Sequence, residues 1–225
     1  MRAVVALFTL LLSLTACAQE APATFKAGEH YEVLPQAVVQ DDDSKIEVTE
    51  LFWYGCGHCY HFEAPLKKWQ KTMPADVALK KIPAIWQPVM EVHARMYYVA
   101  DALGALDKVH DPIFGAIAQQ RKMFADRDGS EWKADQASIA ALFSANGADG
   151  EKAAKLLNSF AINSKVKQGQ AKQRAYKLSG TPEMVVAGKY RVSTSLPGLK
   201  GKSNGQQLML EVVDFLIEKE RADKG

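Results

Sequence analysis

The stretch Leu51–Glu63, LFWYGCGHCYHFE, places two cysteines two residues apart, directly after an apolar run. A Cys-x-x-Cys pair of this kind occurs in zinc sites, in haem attachment sites, in short structural disulfides and in reactive dithiols. Haem attachment requires a histidine directly after the second cysteine, and here Tyr60 follows Cys59. The other three settings are separated by what surrounds the pair.

The residues on either side of the pair predict a strand followed by a helix. Lys45–Tyr54 is rich in β-branched and aromatic residues, which are typical of a strand. Cys59–Lys71 carries apolar residues at helical spacing. Because Val77–Ile85 predicts a second strand, the pair lies in a β-α-β unit, at the N-terminus of its helix.

The rest of the chain predicts an α/β fold with an embedded helical segment. Five helices are predicted, at Glu91–Leu103, Lys108–Arg121, Ala134–Phe143, Glu151–Phe160 and Ser164–Leu178. Two short strands within Glu183–Val192 and a final helix over Gly205–Arg221 follow. We therefore expect a domain formed by residues 19–87 and 179–225, with residues 88–178 as a helical insertion.

The N-terminus has the pattern of an export signal. Arg2 precedes the apolar run Ala3–Leu14, which is too short to span a bilayer permanently, and small residues follow. Cleavage after Ala18 would remove a signal peptide of residues 1–18. The sequence LTAC, ending at Cys17, also matches a bacterial lipobox, in which residues 1–16 are removed and the cysteine is lipidated. Both routes predict an oxidising compartment outside the cytoplasm.

The cysteine count and the composition favour a reactive dithiol. Once Cys17 is removed or lipidated, Cys56 and Cys59 are the only thiols of the working protein. A bridge this short closes almost no chain, so it would contribute little as a structural disulfide. A zinc site usually needs two spaced ligand pairs, and the sequence has no second cysteine pair, so we expect no metal. The alternative from a different class is a metal-binding or adaptor lipoprotein. The net charge of +2 gives no reason to expect a nucleic-acid partner.

A dithiol at a helix N-terminus has a physical reason to be reactive. Unpaired backbone N–H groups and the positive end of the helix dipole stabilise a thiolate at Cys56, which we predict to be the attacking cysteine. Cys59 is predicted to be buried and to resolve the mixed disulfide, and His58 to lower the pKa of Cys56 further. One unit of pKa is worth about 1.4 kcal/mol, or roughly 30 mV for a two-electron couple. Stabilising the thiolate therefore favours an oxidant over a reductant or isomerase.

Three features in order carry a family resemblance: ELFWYGCGHCYHFE, the helical insertion, and GTPEMVVAGKYRV. With them the chain resembles the DsbA family of bacterial periplasmic thiol:disulfide interchange proteins, which have a thioredoxin-like fold. The resemblance implies an oxidoreductase with no cofactor beyond its Cys56–Cys59 disulfide. Its implied partners are unfolded or reduced exported proteins and a membrane quinone-linked reoxidase resembling DsbB. One departure is the dipeptide Gly57-His58, where the family usually has Pro-His, and this leaves the redox potential open.

The resemblance also implies roles for residues outside the cysteine pair. The Thr181-Pro182 bond would be cis, with the Thr181 backbone free to pair with an extended substrate peptide; otherwise Pro182 is a trans proline that starts an edge strand. Glu50 matches a buried acid that moves a proton to or from Cys59, although it also fits an exposed strand residue. Lys81 is its expected charge partner, with Lys80 as the substitute.

The spacing before the first core strand bears on the oligomeric state. Fewer than thirty residues separate Ala18 from Ile46. The dimeric disulfide isomerases carry an added N-terminal dimerisation domain, which would not fit in this interval. We therefore expect a monomer.

Overall fold

The computed structural model describes residues 24–129 and 131–224. The predicted export signal, with Cys17 and both cleavage positions, lies outside the described residues. In chain order the elements are β1 (Glu32–Val33), β2 (Ile46–Phe52), α1 (Gly57–Thr72), β3 (Val77–Pro83), α2 (Pro88–Ala102), α3 (Leu106–Phe114), a π-helical turn (Gly115–Gln119), β4 (Ala125–Asp128), β5 (Glu131–Ala134), α4 (Gln136–Ala145), α5 (Gly150–Leu156), α6 (Phe160–Ala175), β6 (Glu183–Val186), β7 (Tyr190–Ser193) and α7 (Gly205–Lys224).

The main sheet has the strand order β1-β7-β6-β2-β3 and places β2 between a parallel and an antiparallel neighbour. All seven residues of β2 are buried because helices cover both faces of the sheet. Val48 packs with apolar side chains of α1 and α7 on one face, and Leu51 packs with those of α2 and the end of α6 on the other. The α/β class and the β-α-β unit are as predicted.

The helical segment α2–α6 builds an apolar core that reaches the cysteine pair. Phe52, Tyr54 and Cys59 belong to the same cluster of buried side chains as residues of α2, α3 and α4. Burial of this apolar surface fixes the segment against the strand-to-helix turn that carries the cysteines. The insertion therefore forms one wall of the site.

The sequence prediction was wrong between α3 and α4. The structure has a hairpin of β4 and β5, and the predicted start of the third helix, Ala134, is the last residue of β5. The helix begins at Gln136, after Asp135, whose side chain accepts a hydrogen bond from the N–H of Ser138 at 3.0 Å. The two strands have four residues each and carry many charged side chains, so they lack the apolar alternation that signals a strand.

Two predicted helix ends also differ from the structure. The helix predicted at Lys108–Arg121 is α-helical only to Phe114 and continues as the π-helical turn. Phe160, predicted as the last residue of one helix, is the first residue of α6. The Ser159 side chain accepts a hydrogen bond from the N–H of Ile162 at 3.3 Å and so caps that helix. Local capping, which apolar spacing does not report, decides this boundary.

Candidate active site

Cys56 is the N-cap residue of α1. Its N–H donates to the carbonyl oxygen of Trp53 at 2.9 Å, which closes the turn between β2 and the helix. The Cys59 N–H donates to the Cys56 Sγ at 3.3 Å, and this sulfur lies 3.5 Å from the carbonyl oxygen of Thr181. Both cysteines are free thiols; Cys56 is partly exposed and Cys59 is fully buried.

The surroundings of Cys56 stabilise its thiolate. The hydrogen bond from the Cys59 thiol is the largest cause that lowers the pKa of Cys56, to about 5, while partial burial acts against it. A hydrogen bond from the Thr181 side chain and the backbone N–H groups of Cys59 and His58 lower the pKa further. Cys56 is therefore an anion at neutral pH, which is the nucleophilic and leaving form of a thiol.

Cys59 has the opposite tendency. Burial raises the pKa of its thiol well above the ordinary value, and the hydrogen bond to Cys56 and the negative charges of Cys56 and Glu50 add to the rise. The helix N-terminus thus carries one accessible thiolate and one buried neutral thiol. This division agrees with the roles predicted for the two cysteines from their positions.

The Thr181-Pro182 peptide bond is cis, which confirms the predicted isomer. Thr181 and His58 border a groove of about 540 Å³ that continues along Leu199 and Lys202, which precede α7, and along Gln206 in the first turn of α7. The groove therefore reaches Thr181, whose carbonyl oxygen lies 3.5 Å from the Cys56 Sγ.

Glu50 is fully buried in β2 and pairs in register with Lys81 of β3. The Lys81 Nζ lies 2.6 Å from a carboxylate oxygen of Glu50 and 2.6 Å from one of Glu63 in α1. The structure thereby bears out Lys81 as the charge partner of Glu50, whereas Lys80 is exposed. Burial raises the pKa of Glu50 to about 7, against the lowering effect of Lys81. A carboxyl group with this pKa is able to give or take a proton at neutral pH.

Two further buried polar residues join this cluster. The Tyr54 hydroxyl lies 2.7 Å from Nδ1 of His110 in α3, and the His110 Nε2 lies 3.3 Å from the Glu63 carboxylate. Burial alone would raise the pKa of Glu63, but the contact with His110 and the charge of Lys81 hold this pKa at about 2. Glu63 is therefore an anion beside the lysine it shares with Glu50.

A second histidine of the insertion contacts the same turn on another side. The Trp53 indole N–H donates to His93 Nδ1 at 2.9 Å, and the His93 Nε2–H donates to the carbonyl oxygen of Met123 at 2.8 Å. Burial lowers the pKa of His93 to about 4, so its imidazole is neutral. His93 ties α2 to the turn, and its two hydrogen bonds involve neither Glu63 nor His110.

Comparison with known proteins agrees with this geometry. Residues 47–204 match the family model described as a DSBA-like thioredoxin domain. The thiol:disulfide interchange protein DsbA of Pseudomonas aeruginosa is 36% identical over 198 residues, which cover 88% of this chain and 87% of that protein. The DsbA of Azotobacter vinelandii is 35% identical over 201 residues, or 89% and 87% of the two chains. The chain belongs to the DsbA-like family.

A solved structure of the family has the same fold. The crystal structure of Pseudomonas aeruginosa DsbA aligns with a TM-score of 0.77 at 35% identity and covers 89% of this chain and 96% of that one. This DsbA-like protein is accordingly a thioredoxin-like thiol:disulfide oxidoreductase that introduces disulfide bonds. Family membership disfavours the alternatives of a metal-binding or adaptor protein.

Within this DsbA-like site, Gly57 and His58 are exposed residues of the first turn of α1. A Cβ added at Gly57 would meet open space, so packing does not impose the glycine. The carbonyl oxygen of His58 accepts a hydrogen bond from the Gln206 side chain at 2.7 Å. The backbone N–H of His58 contributes to the low pKa of Cys56. The predicted contribution of the imidazole itself stays a prediction.

Sequence reasoning missed Glu63, Tyr54 and His110 as members of the site. Glu63 had a signal, since it follows Cys59 by four residues and therefore lies on the same buried face of α1. Tyr54 and His110 carry no comparable signal. Their contact joins residues 56 positions apart, and one sequence contains no pattern that would pair them.

Proposed function

We propose that this protein oxidises reduced or unfolded proteins exported to the periplasm, with the Cys56–Cys59 disulfide as its only redox group. A substrate thiolate attacks the Cys56 sulfur, the Cys56–Cys59 bond breaks, and Cys59 leaves and takes up a proton. A second substrate thiolate then attacks the substrate sulfur of the mixed disulfide and releases the Cys56 thiolate. Two electrons pass from the substrate to the cysteine pair, and the substrate gains a disulfide.

One observation supports this direction above the others: the two thiols have opposite shifts in pKa. The lowered pKa of Cys56 stabilises the reduced pair, and stabilising the reduced pair makes the disulfide a stronger oxidant. It also makes Cys56 a good leaving group when the mixed disulfide is resolved. A reductant or isomerase would need a less stable dithiol.

Glu50 is the proposed proton donor and acceptor for Cys59. Because the Cys59 thiol has a raised pKa, its thiolate must be protonated as the disulfide opens. The pKa of Glu50, about 7, suits a group that gives this proton and later takes it back. Lys81 keeps the buried carboxylate paired after it loses the proton.

Substrate binding is proposed along the groove at Thr181. An extended peptide would pair with the Thr181 backbone, as in strand addition to a sheet edge. The groove itself is lined mainly by short polar side chains and by Lys202. Such a surface suits many unrelated sequences, as a general oxidant requires.

The reduced enzyme must pass its two electrons to another acceptor. We propose a membrane quinone-linked partner resembling DsbB, and a monomeric enzyme in the periplasm. No helix among the described residues has the length and apolar character needed to cross a membrane. If Cys17 is lipidated, the same enzyme would be held at the membrane surface, and the mass of the purified mature protein would distinguish that form from the product of cleavage after Ala18.

The equilibrium of the Cys56–Cys59 pair with reduced and oxidised glutathione tests the proposal. We expect glutathione to reduce the disulfide readily and the oxidised protein to transfer its disulfide to a reduced model peptide. An equilibrium constant like that of cytosolic reductants would refute the oxidant. Alkylation of the reduced protein with and without zinc is the second arm, and protection by zinc would favour a ligand pair.

A further inference from the structure

His110 brings a polar side chain of the helical insertion into the charge cluster of the cysteine pair. Only 8% of His110 is exposed, and Tyr54 and Glu63 are similarly buried. Phe52 and Phe114 make edge-to-face contacts with the imidazole, with ring centroids at 5.4 and 5.1 Å. The ring is therefore held in one place by packing, independently of its polar contacts.

The Tyr54 hydroxyl determines which nitrogen of His110 carries the proton. Burial raises the pKa of Tyr54 well above its ordinary value, so the hydroxyl keeps its hydrogen. Burial also lowers the pKa of His110, so the imidazole is neutral and has one N–H. With Tyr54 donating to Nδ1, this N–H lies at Nε2, on the side of the Glu63 carboxylate.

Glu63 is the link between His110 and Glu50. One Glu63 oxygen accepts a hydrogen bond from the Lys81 Nζ at 2.6 Å, and the same oxygen lies 3.3 Å from Nε2 of His110. Lys81 makes its other contact, also at 2.6 Å, with Glu50. Burial is the main reason that Glu50 keeps a proton up to neutral pH, and the Glu63 anion adds to it because it competes for the lysine and repels charge on Glu50.

We propose that His110 is a positioning residue of the exchange reaction: held by Tyr54, it keeps Glu63 on Lys81 and so sets the readiness of Glu50 to exchange a proton with Cys59. This inference rests on the proposed function, since it needs Glu50 to serve Cys59. The ionisable groups that face His110 are Tyr54 before α1, Glu63 of α1, Lys81 of β3, Tyr97 of α2 and its neighbour Asp111 in α3.

The test compares His110→Gln and Tyr54→Phe with His93→Gln in the full protein. Tyr54→Phe removes only the hydroxyl. His93 is the matched control, a buried neutral histidine of the same insertion whose partners are Trp53 and Met123. The readout is the pH profile of single-turnover reduction of the disulfide by a reduced model peptide.

We expect the midpoint of the profile to fall by about one pH unit in His110→Gln. The reason is that Glu63 holds its charge less firmly and Lys81 turns to Glu50, which then loses its proton at lower pH. At pH 7 the rate should fall by about fivefold, with a smaller change in the same direction for Tyr54→Phe. His93→Gln should lower the melting temperature and leave the midpoint in place.

Coinciding profiles for wild type, His110→Gln and Tyr54→Phe would overturn the inference. So would an equal shift in all three variants, because it would show a general effect of a disturbed insertion. If His110→Gln does not fold, the Tyr54→Phe profile decides alone. The glutathione equilibrium of the wild type is measured separately, so a failure of the proposed oxidant function is seen there and is not confused with a failure of this positioning role.

Discussion

Cys56 and Cys59 lie within a single turn at the start of α1, but Cys56 is partly exposed and Cys59 is buried. This difference in exposure gives the two thiols different chemistry. We expect the ultraviolet absorbance of the thiolate in the reduced protein to titrate with a midpoint near pH 5, because Cys56 receives hydrogen bonds from Cys59 and the helix N-terminus. Cys56→Ser should remove this transition. A midpoint near 8.5, as for a free cysteine, would show that the surroundings do not stabilise the thiolate.

Substitution of the buried cysteine separates its two roles. Cys59→Ala should accumulate mixed disulfides, because the Cys56 thiolate can still attack a substrate disulfide and displace one of its sulfurs, and no Cys59 thiol is present to release the bound substrate. It should also raise the pKa of Cys56, since the Cys59 thiol is the largest cause of its lowering. Electrophoresis under non-reducing conditions and the absorbance titration measure the two effects. If Cys56→Ala traps substrates and Cys59→Ala traps none, the assigned order of attack is wrong.

Glu50→Gln tests the proton step at the buried carboxyl group. Protonated Glu50 is the donor to Cys59, so its contribution to disulfide opening is present below pH 7 and declines as the pH rises through its pKa of about 7. In Glu50→Gln we expect the rate below that pH to fall by about 10²-fold and the pH dependence to flatten. Stopped-flow measurement with a reduced peptide gives the profile. An unaltered profile would exclude Glu50 from the proton transfer.

At the residue scale, the sequence was sufficient to predict those site residues that are neighbours both along the chain and in space. Cys56, Cys59 and the strand residue Glu50 lie within ten positions, and their relation follows from one strand-to-helix turn. The Tyr54–His110 contact depends on how α3 docks against that turn. Docking is decided by the sum of many apolar contacts, which no single residue pattern records.

Among the elements, the long ones with regular apolar spacing were predictable and the short hairpin was not. Strand β2 is fully buried and lies in a segment rich in β-branched and aromatic residues, and helix α7 buries an apolar face, so both are visible in the sequence. Strands β4 and β5 are half exposed. Their pairing is supported by Ala125 and Trp132, which pack on a core cluster of the main sheet, and this support comes from the tertiary structure.

The junction of α4 and α5 offers a test of packing between elements. A Cβ on Gly150 would lie 2.1 Å from the carbonyl oxygen of Ala140, so Gly150→Ala forces the two helices apart. We expect a loss of about 1–3 kcal/mol in the free energy of unfolding. Gly115→Ala is the control, because a Cβ there meets open space and helical backbone favours alanine by roughly 0.5–1 kcal/mol. Urea unfolding measures both, and equal effects would contradict the close approach.

At the scale of the whole molecule, the sequence predicted two parts, and the structure joins them through one core. The insertion was visible as a run of helical periods between two α/β segments. That Cys59 and residues of α2–α4 share a single buried cluster was not visible, because the shared surface exists only after folding. The insertion therefore contributes to the chemistry of the cysteine pair through burial, which is what raises the pKa of Cys59.

Global stability should therefore depend on the redox state and on pH together. In the reduced protein, Cys56 has a pKa of about 5 when folded and about 8.5 when unfolded. The folded pKa is the lower one, so the thiolate adds stability that is complete above the unfolded value and is lost as the pH falls through the folded value.

In the oxidised protein this cysteine does not titrate. We expect the difference in urea midpoint between the reduced and oxidised proteins to move in favour of the reduced form from about pH 5 to about pH 8. Glu50 and Glu63 titrate in both forms, and reduced Cys56→Ala should lose the dependence. Parallel curves for the two redox states would mean that folding does not stabilise the thiolate, and the tendency to donate the disulfide would then lack its thermodynamic source.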